Sequence, residues 1–155
     1  MLSCVTTIAR SVLDVFNDLY AMFGRETYCR LFPVILTDRG SEFSNPVPIE
    51  QDENDELRSL VFYCNPSVPY QKGGIEVDHE LVRRVLPKGK SFDDLQQEDI
   101  DLMLSHINSY KRGKLNSRSA YQLFNFIYGD DILPKLNIRE IEANDIVLSP
   151  KLLKK

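Results

Sequence analysis

Between Ile8 and Phe23 the apolar positions Val12, Phe16, Leu19 and Phe23 recur three and four residues apart, and Leu13 and Tyr20 widen the stripe. That repeat predicts an amphipathic helix with one face on a core. Thr6 or Thr7 can cap its start, and Gly24 stands where a left-handed stop is wanted. The short, β-branched stretch from Met1 to Thr7 suits the tail of a strand. The period then changes. Phe32-Pro33-Val34-Ile35-Leu36 is continuously apolar and bounded by charge, which fits a strand buried on both faces beside a parallel neighbour, with Pro33 at its first position. Leu60 to Cys64 is a second strand. Phe43 to Ser59, with Asn45, Pro46 and Pro48 and then an acidic stretch, reads as a loop leading into a helix.

Asn65-Pro66-Ser67-Val68-Pro69 cannot be regular, because each proline removes a donor and restrains its predecessor. Lys72-Gly73-Gly74 makes a flexible entry to a helix from about Ile75 to Leu86, which Pro87-Lys88-Gly89-Lys90 ends. On it Glu76, His79 or Glu80, and Arg83 project from one side; Val77, Leu81, Val82 and Val85 lie towards the other. Ser91-Phe92-Asp93-Asp94 leads into a helix over Gln96 to Tyr110, with Ile100, Leu104 and Ile107 on its apolar face. A basic turn follows at Lys111 to Asn116, then a helix over Ser119 to Tyr128 with Leu123, Phe124 and Ile127. Asp145 to Leu148 is a last short strand candidate. Strand and helix thus alternate as in an α/β fold.

A chain of 155 residues suits one core, and 43% hydrophobic with 27% charged residues excludes disordered and fibrous classes. No apolar run approaches the roughly 18 residues of a membrane span, and the start has no signal-peptide pattern, so a cytoplasmic protein without membrane contact is expected. Cys4, Cys29 and Cys64 read as reduced core residues, and His79 and His106 are too few for a zinc motif. A net charge of −4 argues against a dedicated DNA binder. Its distribution qualifies that. Acids crowd into Glu50 to Glu56, while bases group at Lys72, at Arg83 to Lys90 and at Lys111 to Arg118. Such a basic group can serve nucleic acid or be a solvated face.

Two acids frame the central part of the chain. Asp38 follows the apolar run, at a strand end where α/β folds place their sites, and Glu76 opens a helix. Paired carboxylates of this kind can hold magnesium, which prefers hard oxygen ligands and can activate an attacking oxygen at a phosphodiester. The alternative is a helix-capping aspartate and a solvated glutamate.

Around these acids stand Thr37-Asp38-Arg39-Gly40-Ser41-Glu42-Phe43, Tyr63-Cys64-Asn65-Pro66 and Gln71-Lys72-Gly73-Gly74-Ile75-Glu76. This wording resembles the catalytic core of DDE transposases and retroviral-type integrases. Arg83-Arg84-Val85-Leu86-Pro87-Lys88-Gly89, His106-Ile107-Asn108-Ser109-Tyr110 and Ser119-Ala120-Tyr121-Gln122-Leu123-Phe124 are similar to the insertion-sequence transposases of family thirty. The resemblance implies a ribonuclease H-like integrase core over residues 1–128 and a C-terminal tail over 129–155. It also implies DNA strand cleavage and strand transfer with Mg2+ or Mn2+, and as partners the element ends, target DNA and further transposase chains. By position Asp38 matches the second catalytic acid and Glu76 the third.

The first acid belongs on a strand upstream of the first helix, and Met1 to Thr7 contains none; Asp14 and Asp18 lie within the helix. The expectation is therefore an N-terminally truncated core lacking its first strands, a transposase remnant inactive on its own. The rival is a non-catalytic fragment that binds DNA or intact transposase. Arg39 and Val77 stand where the family usually has asparagine, and Arg39 can pair with a phosphate or with Asp38. Lys72, Arg83 and Arg84 are the candidate DNA contacts; a solvated loop lysine and an Arg83–Glu80 ion pair are the plainer readings. His79 lies one turn from Glu76, within reach of a substrate. Tyr63, Tyr70 and Tyr110 read as packing and turn residues.

Overall fold

The computed structural model describes residues 2–65, 73–89 and 95–153, with side chains described from Val12 in the first helix and from Val77 in the third. The chain forms two compact units, Met1–Lys72 and Gly73–Lys155. Tyr70, Lys72 and the Ser91 to Asp94 segment lie outside the described residues, as do the side chains of Cys4 and Glu76.

In the first unit, helix α1 (Leu2–Leu31) is interrupted at Gly24, whose φ of 73° and ψ of 162° suit a residue without Cβ. The stop expected there is present as a break at positive φ, and a second helical stretch follows it, on which Tyr28 is fully buried. Leu2 to Thr7 is helical rather than the tail of a strand. β-Propensity acts through a neighbouring strand, and none lies beside this segment among the described residues.

Strand β1 (Val34–Thr37) pairs in parallel with β2 (Leu60–Tyr63), Val34 opposite Leu60 and Leu36 opposite Phe62. Pro33, just before β1, still contributes its carbonyl, which accepts from Leu60 N at 3.1 Å. Burial on both faces is not realised. Val34, Leu36, Leu60 and Phe62, all on one face, are 42–54% exposed, because nothing among the described residues covers that side of a two-stranded sheet.

Between the strands, Pro46 and Pro48 start the single turn of α2 (Val47–Glu50). The acidic stretch after it is a tightly bonded loop. The Asp52 carboxylate accepts from the Tyr20 hydroxyl at 2.8 Å, Arg25 Nη1 at 2.7 Å, and the backbone of Asn54 and Glu56 at 2.9 and 3.0 Å. These donors stabilise the ionised form, the Tyr20 hydroxyl foremost, and hold the Asp52 pKa below its ordinary value. Glu50 Oε1 accepts from Val61 N at 2.9 Å.

Arg58 is 4% exposed. Its guanidinium donates to the α2 carbonyls of Ile49 and Pro48 at 3.0 and 2.8 Å and to Asn17 Oδ1 at 2.8 Å. It also lies 5.0 and 5.6 Å from the ring centres of Tyr20 and Tyr28, so a buried charge is met by dipoles and π-faces.

The second unit contains α3 (Gly73–Val85), α4 (Gln97–Ser109), a short hairpin of β3 (Lys111–Arg112) and β4 (Arg118–Ser119), and α5 (Ala120–Tyr128). Gly73 and Gly74 are already helical, not a linker. The core joins Leu81, Val85 and Leu86 to Met103 and Ile107, and Val77, Val82, Ile100, Leu148 and Leu152 pack against it. Each later helix starts on a reciprocal contact: Asp99 accepts from Gln96 N, and Ser119 and Gln122 bond each other's backbone.

Asp145 to Leu148 is not a strand. Ala143–Asp145 makes one 3-10 turn closed by Asp145 N on the Glu142 carbonyl, and three amides from Arg139 to Val147 donate to side chains of α4 instead of a neighbouring strand. Ser105 Oγ accepts from Arg139 N at 3.2 Å, Ser109 Oγ from Ile141 N at 2.9 Å, and His106 Nδ1 from Val147 N at 3.2 Å. Cys29 and Cys64 are free thiols, Cys64 buried. No helix among the described residues is long and apolar enough to cross a membrane.

Candidate active site

The sheet ladder fixes where Asp38 stands. Thr37, the last residue of β1, is buried and its carbonyl accepts from Cys64 N at 2.8 Å, so the chain emerges from the C-terminal edge of a parallel pair at Asp38. Asp38 is exposed, and its Oδ1 accepts from Gly40 N at 3.1 Å, closing an Asx turn. Gly40 begins the 3-10 turn Ser41–Phe43 and receives no side-chain cap; Asp38 bonds it from two residues upstream.

The glycine allows a close approach, and its φ of −60° is open to any residue. A Cβ at Gly40 would lie 2.6 Å from Glu42 Oε2, so the bare Cα lets the Glu42 carboxylate fold back over the same turn. Glu42 was not singled out in the sequence, although its place four residues after Asp38 across a glycine was the available signal. The Tyr63 hydroxyl donates to the Phe43 carbonyl and ties this loop to the end of β2, a packing role as expected. Arg39 is exposed.

In the second unit, Glu76 occupies the first turn of α3. The helix then divides as the pattern required. Leu81 and Val85 are buried and Val77 packs on their cluster, whereas Asp78, His79, Glu80, Arg83 and Arg84 are exposed. Val77 is thereby core, which accounts for an apolar residue at that position. The ion pair expected for Arg83 belongs to its neighbour. Arg84 Nη2 lies 2.6 Å from Glu80 Oε1, the i, i+4 spacing of adjacent turns, and this carboxylate raises the Arg84 pKa.

Asp38 thus belongs to the first unit, and Glu76, Arg83 and Arg84 to the second. Among the described residues no three His, Cys, Asp or Glu side chains gather as metal ligands, and the Glu76 carboxylate is not one of those described.

Three curated proteins are similar to parts of the chain. The transposase of insertion sequence element IS1086 from Cupriavidus metallidurans is 35% identical over 63 residues, 41% of this chain and 19% of that protein. ORF3 of Spiroplasma virus SpV1-R8A2 B, named as an integrase, is 33% identical over 90 residues, 58% of this chain and 27% of that protein. The transposase of element IS4351 from Bacteroides fragilis is 27% identical over 94 residues, 61% of this chain and 28% of that protein. The chain therefore spans about a fifth to just over a quarter of the relatives it matches. No family model matches it, and neither does any solved structure.

Proposed function

We propose that this chain carries part of the catalytic core of a DNA transposase of the DDE, family-thirty type, built on a ribonuclease H-like arrangement. Similarity to two insertion-sequence transposases and a viral protein named as an integrase supports DNA transposition as the general process. The observation that carries the finer reading is Asp38 itself, an exposed carboxylate directly after a parallel strand, its rotamer fixed by the Gly40 amide.

The donor chemistry fits a divalent cation. Asp38 offers hard carboxylate oxygens from a rigid strand end, and Glu76 would offer a second set from the start of α3. When bound, Mg2+ or Mn2+ would activate the attacking oxygen and stabilise the leaving oxygen at a phosphodiester. The chain's own part is placement. The Gly40 amide holds Asp38 ready to ligate, Arg83 and Arg84 meet DNA phosphates from the exposed side of α3, and Lys72 meets the target strand. A three-acid site needs one more carboxylate, and residues 2–7, the first turns of α1, carry no acid. Residues 1–155 alone should therefore turn over DNA slightly or not at all.

Purified protein, Mn2+ and a labelled duplex carrying the element ends test this reading. Weak Mn2+ binding, read by electron paramagnetic resonance, should be lost in Asp38→Ala and in Glu76→Ala while the duplex is still retarded on gels. Metal binding indifferent to both substitutions, or efficient strand joining by the 155 residues alone, would overturn the assignment.

A further inference from the structure

The second unit contains a basic feature that the two-acid site does not use. Lys111, Arg112, Lys114 and Arg118 fall within the hairpin and its turn, and no acid lies between Lys111 and Arg118 in a chain whose net charge is −4. The ladder sets Arg112 directly opposite Arg118. Like charges at opposed positions destabilise a strand pair, and this ladder is only two residues long.

Each arginine has a local compensation. Arg112 Nη1 reaches Asp78 on α3 at 2.7 Å, with the side chain mostly buried and its Nε without an acceptor. The Arg118 guanidinium sits 5.8 Å from the ring centre of the exposed Phe126. Lys111 and Lys114 are exposed and have no carboxylate partner among the described residues.

The hairpin faces α3 across a cavity of about 430 Å3, lined by Val77, Leu81 and Leu115 and by the cations Arg84, Lys111, Arg112 and Lys114. The one carboxylate on its wall, Glu80, is already paired with Arg84. The cavity thus has an apolar floor and a positive rim. A small buried anion would call for donors converging on a point. Here Lys111, Lys114 and Arg118 are spread along the short hairpin and its turn and are open to solvent, the distribution suited to a run of phosphates.

We infer that the β3–β4 hairpin, with Arg84 beside it, is a docking surface for the phosphate backbone of duplex DNA, Lys111 and Lys114 making the direct contacts. The inference rests on the transposase reading above for its choice of DNA. Arg112 acts as a positioning residue: its bond to Asp78 pins the hairpin to the helix that carries Glu76, so phosphates bound there are held in fixed register with that helix.

The test is fluorescence anisotropy with a labelled 30-base-pair duplex, the full chain, and salt varied from 50 to 200 mM. Each phosphate contact contributes roughly 0.9 to the slope of log affinity against log salt, so Lys111→Ala/Lys114→Ala should reduce that slope by about 2. Affinity near 0.1 M salt should fall tenfold or more, with an unchanged circular dichroism spectrum and melt. Lys135→Ala/Lys151→Ala, which removes as much charge from exposed positions elsewhere in this unit, should leave the slope nearly intact. Lys114→Glu gives a second, independent perturbation if the double variant folds poorly.

Wild-type DNA binding that neither variant weakens would overturn the hairpin assignment and leave the transposase reading standing. No binding by wild-type protein would overturn both. Micromolar binding of inorganic phosphate, lost in the double variant while DNA affinity is unchanged, would show a small-anion site instead.

Discussion

His106 Nδ1 accepts a hydrogen bond from the backbone amide of Val147, 41 residues further along the chain. An acceptor nitrogen cannot carry a proton, so this contact exists only with the imidazole neutral. Burial and the charge of Arg139 push the His106 pKa below its ordinary value, and Asp145 opposes them. The folded state therefore binds the proton less readily than the unfolded chain. This contribution to stability is complete above the ordinary imidazole range near 6.5 and is lost as pH falls through the folded pKa. Thermal melts from pH 7.5 to 5.5, where carboxylates stay ionised, should show Tm falling with pH. His106→Asn, which keeps an acceptor and cannot titrate, should flatten that dependence.

Arg58 is expected to be among the most sensitive positions in the first unit. Replacing it by alanine leaves the Ile49 and Pro48 carbonyls and the Asn17 amide without their donor and opens space beside Tyr20 and Tyr28. The loss should be about 3 kcal/mol or more, given that bonds to charged donors are worth roughly 1.5–3 kcal/mol each and are not additive. Arg58→Lys should recover only part of it, because an ammonium cannot span three acceptors and two rings. Urea denaturation measures both; an alanine variant within 1 kcal/mol of wild type would show the buried guanidinium to be dispensable.

The uncovered apolar face of the sheet should make association depend on concentration. Leu36 and Phe62 are cross-strand neighbours, 44% and 53% exposed. Contiguous apolar surface of this kind favours contact with another chain. Sedimentation velocity should show the mean mass rising through the micromolar range. Leu36→Thr/Phe62→Thr keeps β-propensity while removing the apolar surface, and should hold the protein monomeric. Wild-type protein that sediments as a monomer throughout would refute this.

The sequence disclosed most where a local rule governs. Leu81 and Val85 at helical spacing, Asp38 at the stop of an apolar run, and a helix ending at Tyr128 stand in the structure where their patterns put them. Arg84 rather than Arg83 pairing with Glu80 was a choice between two adjacent spacings that the sequence left open. Met103, one turn before Ile107, joins the core although its more apolar neighbours dominate the pattern. Non-local contacts were invisible. Tyr20 and Arg25 reach Asp52 across 32 and 27 residues, so the acidic stretch that reads as a loop leading into a helix is a bonded clasp. The bare face of the sheet was hidden for a related reason: four apolar residues look identical in sequence whether or not anything lies over them.

The bond from Glu50 to the Val61 amide gives the small sheet a direction of growth. Amides of Leu60 and Cys64 point inward to β1, whereas that of Val61 points outward and is already occupied by a carboxylate. A new strand on the β2 side would therefore have to displace the Glu50 carboxylate, whereas β1 has no second neighbour among the described residues. Two copies joined through their β1 edges would bury both and turn outward the edges that Glu50 obstructs, so assembly by this route favours two. Glu50→Ala would unblock the second edge, and the same chain should then polymerise without end, an outcome that light scattering and electron microscopy would separate at once from a closed dimer.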